Sequence, residues 1–397
     1  MIDRLTLHNF KAFRDASLPM GPLTLLTGLN SSGKSSVLQS IALLRQSYEA
    51  GDLDVSRFLR EARRAGFQGE VGNQGFLLQG ELVGLGTGDD VLHEDFTEDD
   101  DHPPIGLGVD EGPYRYGWTV AYEAAQNLLP LRDVESPLTS EGVAAPTGPE
   151  AVTPSFLTAP FQYLHADRIS PAEFYPRDHH AVMGRGFLGV RGEHTVNFLR
   201  IHADDAVPEG PLRHPNVASD LLRDQAAAWM GDLCPGVDIQ AHTIEGADAV
   251  RLSYGFQGPL GATKRRRPSN VGFGLTYVLP IVVACLTARP GSLVLLENPE
   301  AHLHPMGQTR IAELAAAAAS QGAQVIMETH SDHVLNGVRL AVKKGRITPG
   351  QAVFHFFRGD GTGVEVVSPR VNEDGKLDQW PTGFFDEFEN TLDQLIG

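Results

Sequence analysis

Apolar and polar positions are ordered at both ends of this chain and loosely arranged between them. "LTLHNF" (5–10) and "LTLLTG" (23–28) read as strands, and "SSVLQSIALLRQ" (35–46) has apolar residues at helical spacing. "FLLQGELVGL" (76–85) reads as a further strand pair. From residue 269 the order returns as a helix near 273–287, a strand at 292–297, an alanine-rich helix near 307–320, a strand at 323–328, a helix at 332–343 and short strands. Between these ends, "HEDFTEDDDHPP" (93–104) is acidic, and residues 133–160 are rich in Pro, Gly, Ser and Thr. Residues 200–216 read as another loop. The pattern predicts an α/β protein with a looser middle and no internal repeats.

One loop in this frame carries specific chemistry. "GLNSSGKSS" sets Gly28, Gly33, Lys34 and Ser35 at the spacing G-x-x-x-x-G-K-[ST], after a strand and before a helix. The glycines let successive backbone N–H groups turn toward phosphates, and the helix start adds partial positive charge. Gly28, Asn30, Ser31, Ser32, Gly33, Lys34, Ser35 and Ser36 are therefore the candidate nucleotide-binding residues. Lys34 would reach the β- and γ-phosphates, and the Ser35 hydroxyl would ligate Mg²⁺.

A phosphate cradle calls for a second strand whose terminal acid holds the metal. "LVLLENPEAHLHP" (293–305) offers Glu297 after four apolar residues. Gln79, ending an apolar run, is either a magnesium-sensing glutamine or a surface strand residue. Arg168 is structural or phosphate-proximal. His302 and His304 read as packing or interface residues rather than zinc ligands, because no third ligand lies at a suitable spacing.

Several segments together resemble ABC-type ATPases of the RecF/SMC/OLD branch. They are the amino-terminal "LTLHNFKAF…GPLTLLTGLNSSGKSS", "YLHADRISP" (163–171), "NVGFGLTYVLPIV" (270–282), "LLENPEAHLHP", "VIMETHSDHVLNGVR" (325–339) and "WPTGFFDE" (380–387). The resemblance implies a P-loop NTPase head with a mixed central sheet, an inserted loop-rich middle and a short carboxy-terminal tail. It divides the chain into an amino-terminal lobe (1–92), an insertion (93–160), a middle segment (161–268), a carboxy-terminal lobe (269–370) and a tail (371–397). It makes His330 the switch histidine. It makes Asn270, Gly272 and Gly274 the signature that approaches a partner's nucleotide. Two heads would enclose ATP and Mg²⁺ as a homodimer or higher oligomer.

In that alignment Glu297 takes the place of the magnesium aspartate and Asn298 that of the catalytic glutamate. An amide cannot take a proton at neutral pH, although it can orient water. Glu300 could serve as the base, His330 could support a water-mediated path, or hydrolysis could be intrinsically slow. The favoured expectation is a slow nucleotide switch, with Glu300 as the alternative base.

Composition narrows the functional class. The net charge of −18 argues against a broadly basic nucleic-acid surface. Lys264, Arg265, Arg266 and Arg267 form the one dense basic cluster, read as a solvated loop or as a contact for nucleic acid or an acidic partner. No signal peptide or membrane span is evident, and a cytoplasmic protein is expected. The middle lacks sustained heptads, so a coiled-coil tether is not expected, and no nuclease acid cluster follows His330. The tail residues Trp380, Phe384, Phe385, Phe388, Leu392 and Leu395 would form one apolar face, packed on the head or docking a partner. A stand-alone head controlling a separately encoded effector, in bacterial DNA maintenance or phage defence, is the resulting expectation. The alternatives are a DNA-binding repair-type ATPase and a non-hydrolysing scaffold.

Overall fold

The computed structural model describes residues 1–53, 74–94, 103–139, 153–258, 261–359, 363–385, 391–392 and 394–395. In chain order the first half gives β1 (Arg4–Phe10), β2 (Phe13–Pro19), β3 (Leu23–Gly28), α1 (Lys34–Glu49), β4 (Gly75–Leu77), α2 (Gly88–Val91), β5 (Pro104–Glu111), β6 (Tyr114–Ala121) and β7 (Leu128–Thr139). There follow β8 (Phe161–Leu164), β9 (Tyr175–Pro176), α3 (Thr195–Ile201), α4 (Leu222–Leu233), β10 (Val237–Thr243), β11 (Ala249–Gly258) and β12 (Gly261–Ala262). The last part gives α5 (Phe273–Thr287), β13 (Leu293–Glu297), α6 (Pro305–Ser320), β14 (Gln324–Glu328), α7 (Asp332–Lys343), β15 (Ala352–Gly359) and β16 (Val364–Val367). The chain divides into two units, one of Met1–Gly21, Leu29–Ala159 and Phe357–Val367, the other of Pro22–Gly28, Pro160–Phe356 and Ser368–Gly397.

The first unit is built on an antiparallel sheet of order β2-β1-β5-β6-β7-β4. Alternation drives it: Leu5 and Leu7 of β1 are buried, as are Ile105, Leu107 and Val109 of β5 and Trp118 and Val120 of β6. Three of these strands lie within 93–160, the stretch read from sequence as a loose insertion. Their alternation is short and broken by Gly106, Gly108 and Gly117, and the acidic and Pro-rich flanks masked it. Residues 133–139 belong to β7 rather than to a loop. Residues 95–102 and 140–152 lie outside the described residues.

The expected strand pair at 76–85 is a short strand followed by a bend. The buried Gln46 of α1 organises that bend. Its amide donates to the carbonyls of Leu77 at 2.7 Å and Val83 at 3.2 Å. Its oxygen accepts from the N–H groups of Leu82 at 2.8 Å and Val83 at 2.9 Å. A side chain so satisfied can replace a ladder partner, which the strand reading could not anticipate.

The second unit carries the order β15-β3-β14-β13-β8, in which β3, β14, β13 and β8 run parallel. The residues of β3, β13 and β14 are buried almost without interruption, as strands covered on both faces require. The helices behave likewise. Leu275 to Leu286 of α5 are buried without interruption, and so are Ala315 to Ala319 of α6. No helix among the described residues is long and apolar enough to cross a membrane. In the tail, Phe384 is fully buried against Phe356 and Trp380, with ring centroids 5.3 and 5.1 Å apart. Leu392 and Leu395 are exposed, and Phe388 lies outside the described residues.

Candidate functional site

The phosphate loop starts where β3 ends. Gly28 closes the strand at φ +136°, and the loop then takes Ser31 and Gly33 through positive φ, at +60° and +92°. Such turns aim consecutive N–H groups to one side, the geometry of an anion nest. Gly33 is required twice over, by its φ and by space: a Cβ there would lie 2.7 Å from Phe13 Cζ. Lys34 is buried, and its Nζ donates to the Leu29 carbonyl at 2.5 Å, where Ser32 Oγ also donates at 2.7 Å. No side chain caps the start of α1. Its first-turn amides are the donors an anion would meet. Leu29, Asn30 and Ser31 are exposed, Ser32 and Ser36 are buried, and Ser35 is half-buried.

The acidic strand end lies in the parallel sheet. Glu297 is the register partner of Glu328 across β13 and β14, and Glu328 in turn faces Leu26 of β3. Hence the strand that leads into the phosphate loop and the strands that end in the two acids finish at one edge. That is the carboxyl edge, where open α/β sheets bind ligands. Glu297 is held from the protein side. Tyr163 donates its hydroxyl to Oε1 at 2.5 Å, and the N–H of Ala166 donates to Oε2 at 2.9 Å. Burial, and after it the adjoining Glu297, pushes the Tyr163 hydroxyl well above its ordinary pKa, so it remains a donor.

Asn298 follows with φ +42°, a left-handed conformation that asparagine tolerates better than most residues. Its N–H donates to the Glu328 carbonyl at 2.9 Å. Glu300 accepts from the backbone N–H of His330 at 2.8 Å, which ties the turn to the start of the switch segment. His330 is exposed. Two acceptor oxygens in this turn, Asn298 Oδ1 and Glu300 Oε2, are buried with no hydrogen-bond partner among the described residues. Buried acceptors in native proteins have donors, so water or a metal-bound water fits here.

Arg168, whose role the sequence left open, is a buried clamp. Its guanidinium donates to the carbonyls of His165 at 2.8 Å, Glu297 at 2.6 Å, Asn298 at 2.8 Å and Tyr277 at 3.1 Å. Burial lowers its pKa to about 10, against the raising pull of Tyr277 and the nearby carboxylates. It stays charged at neutral pH. Sequence reasoning named Arg168 as structural or phosphate-proximal but tied neither it nor Tyr163 to the acid turn. The only signal was the "YLHADR" segment itself, an apolar strand closing on an arginine.

The signature residues lie at the start of α5. Asn270 ends a short 3-10 turn and is exposed, as is Gly272, with open space around its Cα. Gly274 is close-packed: a Cβ would lie 2.5 Å from the His302 carbonyl oxygen. His302, at φ +63°, sets its ring against Phe273 and Tyr277, 4.8 and 4.9 Å between centroids. His304 caps α6 through its ring nitrogen, 3.4 Å from the Met306 N–H.

Gln79 is exposed in the bend after β4, its amide 3.4 Å from the Gly86 carbonyl. Within the basic run, Arg265 pairs with Asp238, and Arg267 pairs with Glu173 at 3.1 Å. Local acids thus neutralise two of the four cations.

Three family descriptions match successive parts of the chain. "AAA ATPase domain" matches residues 1–93, "AAA domain, putative AbiEii toxin, Type IV TA system" matches 199–336, and "Protein of unknown function (DUF3696)" matches 347–395. A protein described as OLD nuclease, from Thermus scotoductus, is 23% identical over 363 residues, 83% of this chain. Residues 1–93 and 199–336 thus match ATPase-domain descriptions, and the chain is similar to a P-loop ATPase of the OLD type. It spans 59% of the length of that OLD relative. Solved structures similar to this ATPase domain include an Smc head bound to the C-winged helix domain of ScpA, at 14% identity and TM-score 0.48, covering 92% of this chain and 97% of that one. Another is the SMC head domain from Thermotoga maritima, at 12% identity and TM-score 0.41, covering 92% and 98%.

The residues fit the magnesium that this ATPase type implies. Glu297 supplies a preoriented hard oxygen, and the orphan acceptors beside it suit metal-bound water. Mg²⁺ takes few protein ligands and fills its shell with phosphate and water.

Proposed function

We propose that this chain binds Mg-ATP, pairs with a second copy of itself around the nucleotide, and hydrolyses it slowly, acting as a switch that a separately encoded effector reads. In this reading the amides from Gly28 to Ser36 and the Lys34 ammonium hold the phosphates. Ser35 is the proposed metal ligand of the loop, Glu297 that of the acidic strand end, and Gln79 the proposed magnesium-sensing glutamine. His330 reads the γ-phosphate, and Asn270, Gly272 and Gly274 meet the partner's nucleotide. The magnesium ion supplies charge neutralisation at the phosphates.

The carrying observation is the turn at Asn298 and Glu300. The residue after the metal ligand is an amide, and its oxygen and one Glu300 oxygen are buried acceptors lacking donors. A water donating to both would be oriented by Asn298 and could give its proton to Glu300. A base two residues removed from the usual place supports slow turnover. The OLD nuclease relative and the toxin–antitoxin description support a setting in bacterial DNA maintenance or phage defence, with an effector as the output.

The test is phosphate release and solution mass, each measured with and without Mg-ATP. Association with ATP and slow release are expected. Glu300→Gln should suppress the residual release, by up to the ~10²–10⁴-fold that a positioned base contributes. Fast release untouched by Glu300→Gln would overturn the slow-switch reading.

A further inference from the structure

The signature start and the acidic turn are joined by one buried side chain. Arg168 reaches the Tyr277 carbonyl in α5 and the Glu297 and Asn298 carbonyls at the end of β13 with the same guanidinium. The contact is also aromatic, since Arg168 Cζ lies 4.4 Å from the centre of the Tyr277 ring. A second link runs outside it. The His302 ring lies against both Phe273 and Tyr277, and the His302 carbonyl sits where Gly274 lacks a Cβ. Two contacts, both meeting Tyr277, therefore tie the start of α5 to the loop that follows Glu297.

We propose that Arg168 and His302 are positioning residues that lock the signature helix to the acidic turn, so that nucleotide and metal at Glu297 set how Gly272 and Gly274 are presented to a second copy of the chain. This rests on the proposed switch. Planar, forked geometry matters to it, because a guanidinium fixes five N–H donors in one rigid plane and here spends them on carbonyls of two elements at once. A carbonyl of α5 and two of the strand end share one donor group, so a shift of the turn must move the helix start or break a buried hydrogen bond. Such a two-ended contact is the physical form of coupling between sites.

The test compares wild type, Arg168→Lys and His302→Asn in two measurements on the full chain. One is affinity for Mg-ATP. The other is ATP-dependent self-association by sedimentation. Arg168→Lys keeps the charge and loses the fork. His302→Asn removes the ring from an exposed loop position and keeps a residue at ease with positive φ, so it serves if the arginine variant does not fold.

In His302→Asn, nucleotide affinity should stay near the wild-type value while association weakens about 5- to 150-fold, the usual range of a coupling between sites, and Arg168→Lys should weaken association at least as much. Equal association by wild type and both variants would overturn the coupling and leave the switch standing. Affinity and association falling together, with a lower melting temperature, would make Arg168 and His302 ordinary structural props and overturn it as well. A wild type that does not associate with Mg-ATP would sink the switch reading and the coupling with it.

Discussion

The phosphate loop and the acidic turn solve opposite problems. The loop must present donors, and it does so with its own main chain, through the positive-φ residues Ser31 and Gly33 and an uncapped helix start. Its one strong side-chain cation, Lys34, is held by a carbonyl five residues earlier. The turn must present acceptors, and its main chain cannot help, because the carbonyls of Glu297 and Asn298 are taken by Arg168. Its chemistry is in side chains, held by Tyr163, Ala166 and Arg168 from about 130 residues away in sequence. A donor site can be local, because glycine placement fixes it. An acceptor site gathers carboxylates and must import its support.

The comparison is broken most severely by removing that support. Arg168→Met should leave several buried carbonyls without donors. Each such group costs about 1–3 kcal/mol, so a loss of several kcal/mol in unfolding free energy is expected in chemical denaturation. A loss under about 1 kcal/mol would mean the carbonyls find other partners and the turn is self-supporting. Lys34→Ala should act the other way. ATP affinity should fall by about 10- to 100-fold, the worth of a charge-assisted hydrogen bond. Unchanged affinity in a titration with fluorescent ATP would show that the loop is not the donor site.

The same asymmetry explains what the sequence could reveal. Gly28, Gly33 and Lys34 were legible because the spacing alone dictates the backbone. Glu297 and the strands and helices from 269 onward were legible because long apolar runs have one reading. Tyr163 and Arg168 were not, because a role defined by contact across more than a hundred residues leaves no local periodicity. The strands at 104–139 were missed for a different reason, since glycines interrupt their alternation and the polar flanks dominated the window.

A finer cut separates metal binding from phosphate binding. Tyr163→Phe removes the hydroxyl that orients Glu297 and keeps the ring. Loss of such an outer support typically costs 10- to 100-fold in metal affinity. The magnesium concentration needed for tight ATP binding should rise by about that factor, while affinity for metal-free ATP stays constant. The pH dependence has a definite sign. Tyr163 has its pKa raised well above 10, so its donor role, and the magnesium midpoint that depends on it, should stay flat from neutral pH through 10. A midpoint that climbs already between pH 8 and 10 would show that another group orients the carboxylate.

The smallest effect bears on why an asparagine occupies position 298 at all. Its φ of +42° is left-handed, and a residue with an ordinary β-carbon pays roughly 1–2 kcal/mol there. Asparagine is among the residues that visit this region, and glycine does so freely. Asn298→Gly should therefore leave stability within about 1 kcal/mol of wild type, whereas Asn298→Ala should lose about 1–2 kcal/mol. If backbone geometry is the sole reason for the amide, the glycine variant will also release phosphate at the wild-type rate. If the amide oxygen orients water toward Glu300, glycine will fold as well as wild type and release phosphate more slowly. Stability and turnover then part company at a single position, and that separation distinguishes a conformational role from a chemical one.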